Sequence, residues 1–400
     1  MPEKDIRIAL FGAHINSTNL GCKALTYSLI NLIESISREY GMKISYVVFE
    51  YLPNELETER LCAFTQVDKD RIKTVRILPI YKVRSYIKHP LGSFEIINAL
   101  RTCNVAIDLT AGDSFSDIYG FDRFQYTTEI KKIVEFLKVP LILGPQTYGP
   151  FIEKQSEKMA EQVIKKAYRI IARDALSAKC ISELGCGKIE YTTDLAFQLP
   201  YCCEGEDKSK YEKIKVGINI SGLLTNSHIE TETEKNFRLK VDYDKYIEGI
   251  LQFLEKNKMY EVYLISHVEE DYIASNDFYK RHSSVHVIKP FNNPIDVKSY
   301  ISRMNIFIGA RMHATIAALT SGVVTIPTAY SRKFQGLYDV VEYSRIIDLQ
   351  KLTTSDAISM TVHYIESYKL LEKEVEHSLM ICDEYRKKTY NFFSEALESI

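Results

Sequence analysis

The sequence predicts an α/β protein of two doubly wound, Rossmann-like domains, and three observations predict it. Short β-branched runs alternate with amphipathic stretches from the first residues onward, the pattern of βα units around a parallel sheet. One polar stretch, Pro200 to Lys213, interrupts that alternation, and a new strand-like run opens directly after it. The chain's 400 residues also exceed what one ordinary hydrophobic core supports.

In the first half the strand-like runs are Ile6 to Phe11, Ile44 to Phe49, Val105 to Leu109, Leu141 to Leu143 and Arg169 to Ala172. Between them, Ala24 to Tyr40 and Tyr126 to Leu137 carry apolar residues at three- and four-residue spacing, which predicts helices with one buried stripe. The second half repeats the scheme on a smaller scale, with runs at Lys215 to Ile220, Val262 to Ser266, Val285 to Ile288, Ile306 to Gly309 and Val323 to Ile326. Leu223 to Lys240 is polar and aperiodic and reads as either a lid or an ordinary surface loop. From Thr354 to Leu397 the chain is strongly helical, with Tyr364, Tyr368, Leu371, Val375, Leu379 and Cys382 forming one stripe that must be buried. The expected layout is an N-terminal domain over 1–205, a C-terminal domain over 213–350, and a helical segment over 354–400 returning to the first domain. That layout has the form of the GT-B arrangement, a fold analogy that leaves chemistry open.

Apolar residues make up 46% of the chain and charged residues 26%, a globular balance. Lys plus Arg number 51 against 53 Asp plus Glu, so no overall field favours nucleic acid or an anionic membrane, and any anion site must be local. The N-terminus enters a strand-like run without a signal-peptide h-region, and no stretch approaches the ~18 apolar residues of a membrane span. The eight cysteines lack CxxC spacing, and Cys202 and Cys203 are adjacent, so reduced thiols and a cytoplasmic location are expected. The basic and aromatic run Tyr81 to Lys88 reads either as a peripheral contact with the inner membrane face or as a solvated loop.

Ligands of open α/β sheets bind beyond the carboxyl ends of the strands, which makes the strand exits the informative positions. After Phe11 the loop from Gly12 through Asn19 and Gly21 to Cys22 offers small residues and backbone N–H groups, for ligand contact or for packing. After Leu109, Asp113 and Ser114 suit hydrogen bonding to sugar hydroxyls, with helix capping as the competing reading. After Leu143, Gln146 and Tyr148 are candidates for an acceptor pocket, and a rigid turn explains the adjoining Pro and Gly equally well. Arg173 follows the next strand, either binding an oxyanion or pairing with Asp174 or Asp194.

The strongest local signal is Gly309-Ala310-Arg311-Met312-His313-Ala314, which sets a guanidinium and an imidazole at a strand-to-helix turn where unpaired N–H groups attract anions. Tyr330, Ser331 and Lys333 at the next exit, and His267 at another, are expected to join them. No Cys, His and carboxylate cluster has metal-site spacing, and there is no Walker loop, GxGxxG fingerprint or GxSxG elbow. The chemistry is expected to rest on cations and hydrogen bonds, with no metal and no cofactor.

At these exits the sequence resembles the polysaccharide pyruvyl transferase family. The matching residues are Asn19-Leu-Gly21-Cys22 with Ala24-Leu25, Gly112-Asp113-Ser114-Phe115, Gly144 to Phe151, Arg173-Asp174, Asp194, Gly309 to Ala314, and Tyr330-Ser331 with Lys333 and Gly336-Leu337. This chain departs from the family where many members carry a run of glycines and it has Thr110-Ala111-Gly112, and where Cys22-Lys23 replaces an acidic pair. The resemblance implies a GT-B-like fold, phosphoenolpyruvate as donor, and a sugar acceptor that can be lipid-linked and receives a pyruvate ketal as phosphate leaves. It also implies that Arg173, Arg311, His313 and Lys333 bind or activate the donor; with Ser331 and His267 added from the strand exits as donor-binding residues, Arg311 and His313 stand at the reacting end. Asn19, Gly21, Asp113, Ser114 and Gln146 then fall on the acceptor side. The alternatives are a GT-B glycosyltransferase using a nucleotide sugar and a non-catalytic saccharide-binding paralogue.

Overall fold

A computed structural model describes residues 4–77, 90–202, 208, 212–225 and 237–400. Six strands alternate with helices in the first half: β1 (Lys4–Phe11), β2 (Met42–Glu50), β3 (Ile72–Arg76), β4 (Val105–Asp108), β5 (Leu141–Gln146) and β6 (Arg169–Ala172). Six more follow: β7 (Ile214–Asn219), β8 (Tyr260–Leu264), β9 (His286–Val287), β10 (Ile306–Gly309), β11 (Val324–Ala329) and β12 (Ile347–Asp348). Every pairing is parallel, and the two sheets run β3-β2-β1-β4-β5-β6 and β12-β11-β10-β7-β8-β9. Both orders are the same topology, reversing direction between β1 and β4 in one sheet and between β7 and β10 in the other. Such reversals open a crevice at the strands' carboxyl ends. The second sheet equals the first in strand number, so the expected reduction in scale is not found.

The central strands are short because they are buried on both faces. All four residues of β4 (VAID) and of β10 (IFIG) are buried, which is why they read as unbroken apolar runs. Helix starts are set by side chains accepting orphan backbone N–H bonds. Asp174 caps Ala175–Ile181, Asp242 caps Tyr243–Lys256, and Asn293 caps a helix with Pro294 in its first turn.

The chain separates into two compact units: 1–17 with 22–198 and 384–400, and 18–21 with 199–383. In the first unit Phe11, Phe49, Phe115, Phe124 and Tyr148 lie within one core; in the second, Ile265, Ile301, Phe307 and Val323 do. The C-terminal segment is two helices, Thr354–Glu366 and Tyr368–Glu398, separated at Ser367. Along the expected stripe Tyr364, Leu371, Val375 and Cys382 are buried. The last turns belong to the first unit, where Phe393, Ala396 and Leu397 are fully buried and Thr389 meets Thr192. No helix among the described residues is long and apolar enough to cross a membrane. Tyr81 to Lys88 and most of the loop proposed as a lid lie outside the described residues.

Candidate functional site

The reversal point of the second sheet gathers residues from three strand exits. Asn219 ends β7, and its Oδ1 accepts the backbone N–H of Arg311 at 3.0 Å. Its Nδ2 donates to the Ile265 carbonyl and to Asp271 Oδ2, each at 3.1 Å. Asp271 lies in the first turn of helix Glu269–Tyr279 and is 0% exposed. It takes Arg311 Nε and Nη2 on Oδ1 at 3.0 and 2.8 Å, the Gly222 N–H on Oδ1 at 3.1 Å and the His267 N–H on Oδ2 at 3.3 Å. A buried carboxylate is stable in the folded chain only with partners of this kind.

Arg311 is the N-cap residue of helix Met312–Leu319, with its side chain 19% exposed. Burial alone lowers a guanidinium's pKa, but the charge and hydrogen bonds of Asp271 outweigh it and the Arg311 pKa rises. The arginine is therefore a fixed cation, locked along one edge by Asp271, while Nη1 takes no part in those bonds.

His267 is the neutral member of the cluster. Burial, followed by the charges of His313 and Arg311, holds its pKa down to about 3. Its Nδ1 is buried without a hydrogen-bond partner, as are Ser266 Oγ beside it and Ser221 Oγ beyond β7. Buried polar atoms are satisfied in nearly all folded proteins, so three orphans at neighbouring strand exits mark a place where a ligand or water completes the bonding. His313 stands in the first turn of helix Met312–Leu319, against Gly21, where an added Cβ would lie 2.2 Å from its Nδ1. Asn19 Oδ1 accepts the Gly21 N–H at 2.9 Å. Asn19 and Gly21 therefore group with His313 in the second unit. Ser331 is the N-cap of helix Arg332–Val340 without a side-chain capping bond, and Lys333 is half-buried in its first turn.

The remaining candidates lie in the first unit, and burial decides what each can do. Arg173 is 1% exposed and donates from Nη1 to Asp194 Oδ2 at 2.7 Å, with Asp174 Oδ2 3.9 Å from its Nε. The pairing with Asp194 that the sequence offered as the alternative is present, while Arg173 Nε is buried without a hydrogen-bond partner. Gln146 is fully buried because β5 extends through it; its Nε2 donates to Asp108 Oδ2 at 3.1 Å and to the Tyr148 hydroxyl at 3.3 Å. Ser114 is buried and accepts Arg123 Nη2 at 2.8 Å. Asp113, half-buried, accepts the Tyr119 hydroxyl at 2.7 Å.

Asp271, Asn219, Ser221 and Ser266 are site residues that sequence reasoning did not single out. Asn219 was within reach of the strand-exit rule, being the last residue of β7. Asp271 was masked as the third acid of Glu269-Glu270-Asp271, a run that reads as ordinary first-turn charge.

Comparison with known proteins agrees with this architecture. Anabaena HepE, solved with UDP and glucose, superposes with a TM-score of 0.62 at 11% identity, over 99% of this chain and 100% of that one. Neisseria meningitidis UDP-GlcNAc 2-epimerase, solved with UDP-GlcNAc, gives 0.60 at 11% identity over 97% and 99%. S. aureus MnaA, solved with UDP, gives 0.58 at 11% over 99% and 98%. At these identities the likeness is one of fold. The family model for polysaccharide pyruvyl transferase matches residues 35–332, which takes in most of the chain and includes Arg311 and His313. On that match the chain belongs to the polysaccharide pyruvyl transferase family, as a sugar-modifying enzyme on a GT-B-like fold.

Proposed function

We propose that the protein transfers the enolpyruvyl-derived group of phosphoenolpyruvate to two hydroxyls of a sugar, forming a pyruvate ketal and releasing phosphate. The observation that carries this reading is the Asp271-anchored Arg311 at a helix N-terminus, with the buried orphan atoms of Ser221, Ser266 and His267 at the neighbouring strand exits. A cation fixed before the ligand arrives, beside unpaired N–H groups, favours a compact phosphorylated anion. In the reaction the enol CH₂ takes a proton and becomes a methyl group, and one sugar hydroxyl adds at the cationic carbon and gives up its proton, which replaces the one delivered to the CH₂. Phosphate then leaves, and the second hydroxyl closes the ketal as its proton is released. Arg311 binds the donor's oxyanion, His313 is the acid, and neutral His267 accepts or donates a hydrogen bond without adding charge. Ser331 and Lys333 contribute from the neighbouring helix start.

A second reading, a nucleotide-sugar donor on the same fold, is favoured by the UDP-containing ligands of HepE and the epimerase. Purified enzyme incubated with phosphoenolpyruvate or UDP-sugars and a panel of free and lipid-linked oligosaccharides separates the two. Phosphate release dependent on both phosphoenolpyruvate and acceptor is the expected result. Consumption of a UDP-sugar without phosphoenolpyruvate turnover overturns it, and absence of turnover with every donor leaves a saccharide-binding protein.

A further inference from the structure

The first unit has its own crevice at the point where its sheet reverses. Phe11 and Gly12 at the end of β1, and Asp108 and Thr110 at the end of β4, line a cavity of about 220 Å³. That is below the ~300–1,000 Å³ of pockets for drug-sized ligands, so it suits one ring and not a nucleotide.

Its wall is aromatic. Tyr51 and Tyr126 stand with ring centroids 5.2 Å apart, and the His14 ring stacks on Tyr51 at 6.2 Å. Flat ring faces of this kind match the C–H face of a pyranose. The floor is polar, but its charges cancel. Lys131 Nζ lies 3.1 Å from Asp108 Oδ1 and donates to Thr110 Oγ1 at 3.0 Å and to the Thr127 carbonyl at 2.8 Å. Burial lowers the Lys131 pKa against the pull of Asp108, and with its bonds committed the lysine has no charge to offer a ligand.

The mouth differs. Arg123 is exposed, and its contacts are a hydrogen bond to Ser114 Oγ at 2.8 Å and the Tyr119 ring, 4.9 Å from its guanidinium carbon. No carboxylate among the described residues pairs with it. The Asp113 carboxylate accepts from Ser114 Oγ at 3.5 Å and from the Tyr119 hydroxyl at 2.7 Å, without pairing with the guanidinium. The cavity therefore combines ring faces, a neutralised floor and one cation at the rim outside any direct ion pair.

We propose that this cavity seats one sugar of the acceptor and selects a pyranose carrying an anionic substituent, whose charge Arg123 reads. The proposal rests on the reading of a sugar acceptor but not on the identity of the donor. The anionic group can be a carboxylate of the sugar or a phosphate attached to it.

The test is binding without donor, by saturation-transfer NMR and calorimetry, using methyl glucuronide, glucose 6-phosphate, neutral methyl glucoside, inorganic phosphate and acetate. Wild type should bind the glucuronide or the sugar phosphate at least tenfold more tightly than the neutral glycoside. A carboxylate preference places the acid on the sugar, and a phosphate preference places it on a linkage. Arg123→Gln, on an exposed helix position, should abolish the preference, and Tyr51→Ala should weaken every sugar. Equal binding of the neutral glycoside, an Arg123→Gln variant that keeps the preference, competition by phosphate or acetate alone, or no sugar binding at millimolar concentration each overturns the proposal. Because no donor is present, these results stand apart from phosphoenolpyruvate turnover.

Discussion

Thr110, Ala111 and Gly112 have φ values of 39°, 53° and 85°, three consecutive residues in the left-handed region, packed so closely on Gly12 that a Cβ there would lie 2.3 Å from Thr110 N. A backbone of this kind is the one that glycine adopts without strain. Thr110 keeps a side chain because its Oγ1 joins Asp108 and Lys131. Ala111 has no such engagement, and a left-handed alanine costs about 1–2 kcal/mol. Ala111→Gly should therefore raise stability slightly, by up to ~1 kcal/mol after the added chain entropy, whereas β-branched Ala111→Val should lower it clearly; paired urea melts check both.

His267 gives a pH signature. Its pKa falls from 6.5 in the unfolded chain to about 3 in the folded one, so the unfolded state binds more protons throughout that window. Stability is full above pH 6.5 and is lost as pH falls toward 3, at about 1.4 kcal/mol per pH unit from this residue. His267→Gln should remove that part of the slope, and urea midpoints of both proteins at pH 7 and pH 5 measure it. Asp271→Asn leaves the partly buried Arg311 without its counter-charge and should cost about 3–5 kcal/mol along with donor affinity. Arg311→Lys, which exchanges a fork for a point charge, should mainly raise the KM for phosphoenolpyruvate. His313→Gln should keep donor affinity and lower kcat roughly 100- to 10,000-fold, with one limb of the pH profile lost. At this scale the sequence revealed Arg311 and His313 through their turn. It named Asp194 as one possible partner of Arg173 without deciding between pairing and ligand binding, and it concealed Gln146's burial, because that depends on where a strand ends.

Among the elements, strands with a mainly apolar run were legible, including the edge strands β6 and β9, and the edge strands β3 and β12 were not. The limits of β10 were read to the residue because IFIG has no polar interruption, and those of the edge strand β6 because its apolar Ile170-Ile171-Ala172 follows a single arginine. β3, whose sequence is IKTVR, went unread because exposed Lys73 and Arg76 alternate with its buried residues and blunt an edge, and β12 has two residues. The C-terminal stripe was legible over several turns, while the separation at Ser367 was not, since no proline or glycine marks it. That helix can be tested at Phe393, 0% exposed in the core of the first unit. Phe393→Ala should destabilise that unit by about 3–5 kcal/mol, seen in the denaturation midpoint. Neighbouring Phe392, partly exposed, should tolerate alanine with less than half that loss.

Across the whole molecule, helix Tyr368–Glu398 passes from the second unit into the first without a break near Asp383. A proline in a helix interior costs about 3 kcal/mol and removes a backbone bond. Asp383→Pro should therefore uncouple the units, turning a single calorimetric transition into two; two transitions already present in the wild type would show that the helix does not couple them. The path of the chain also has a consequence in time. The first unit is left incomplete at Gln198 and receives its final piece at Glu384, after the whole of the second has been synthesised. At ribosomal speeds of ~5–20 residues per second, that interval is on the order of tens of seconds. During it, the groove later filled by Phe393, Ala396 and Leu397 has no occupant. The enclosed unit can finish folding first, and the nascent first unit, its apolar groove open, is the form a chaperone would meet.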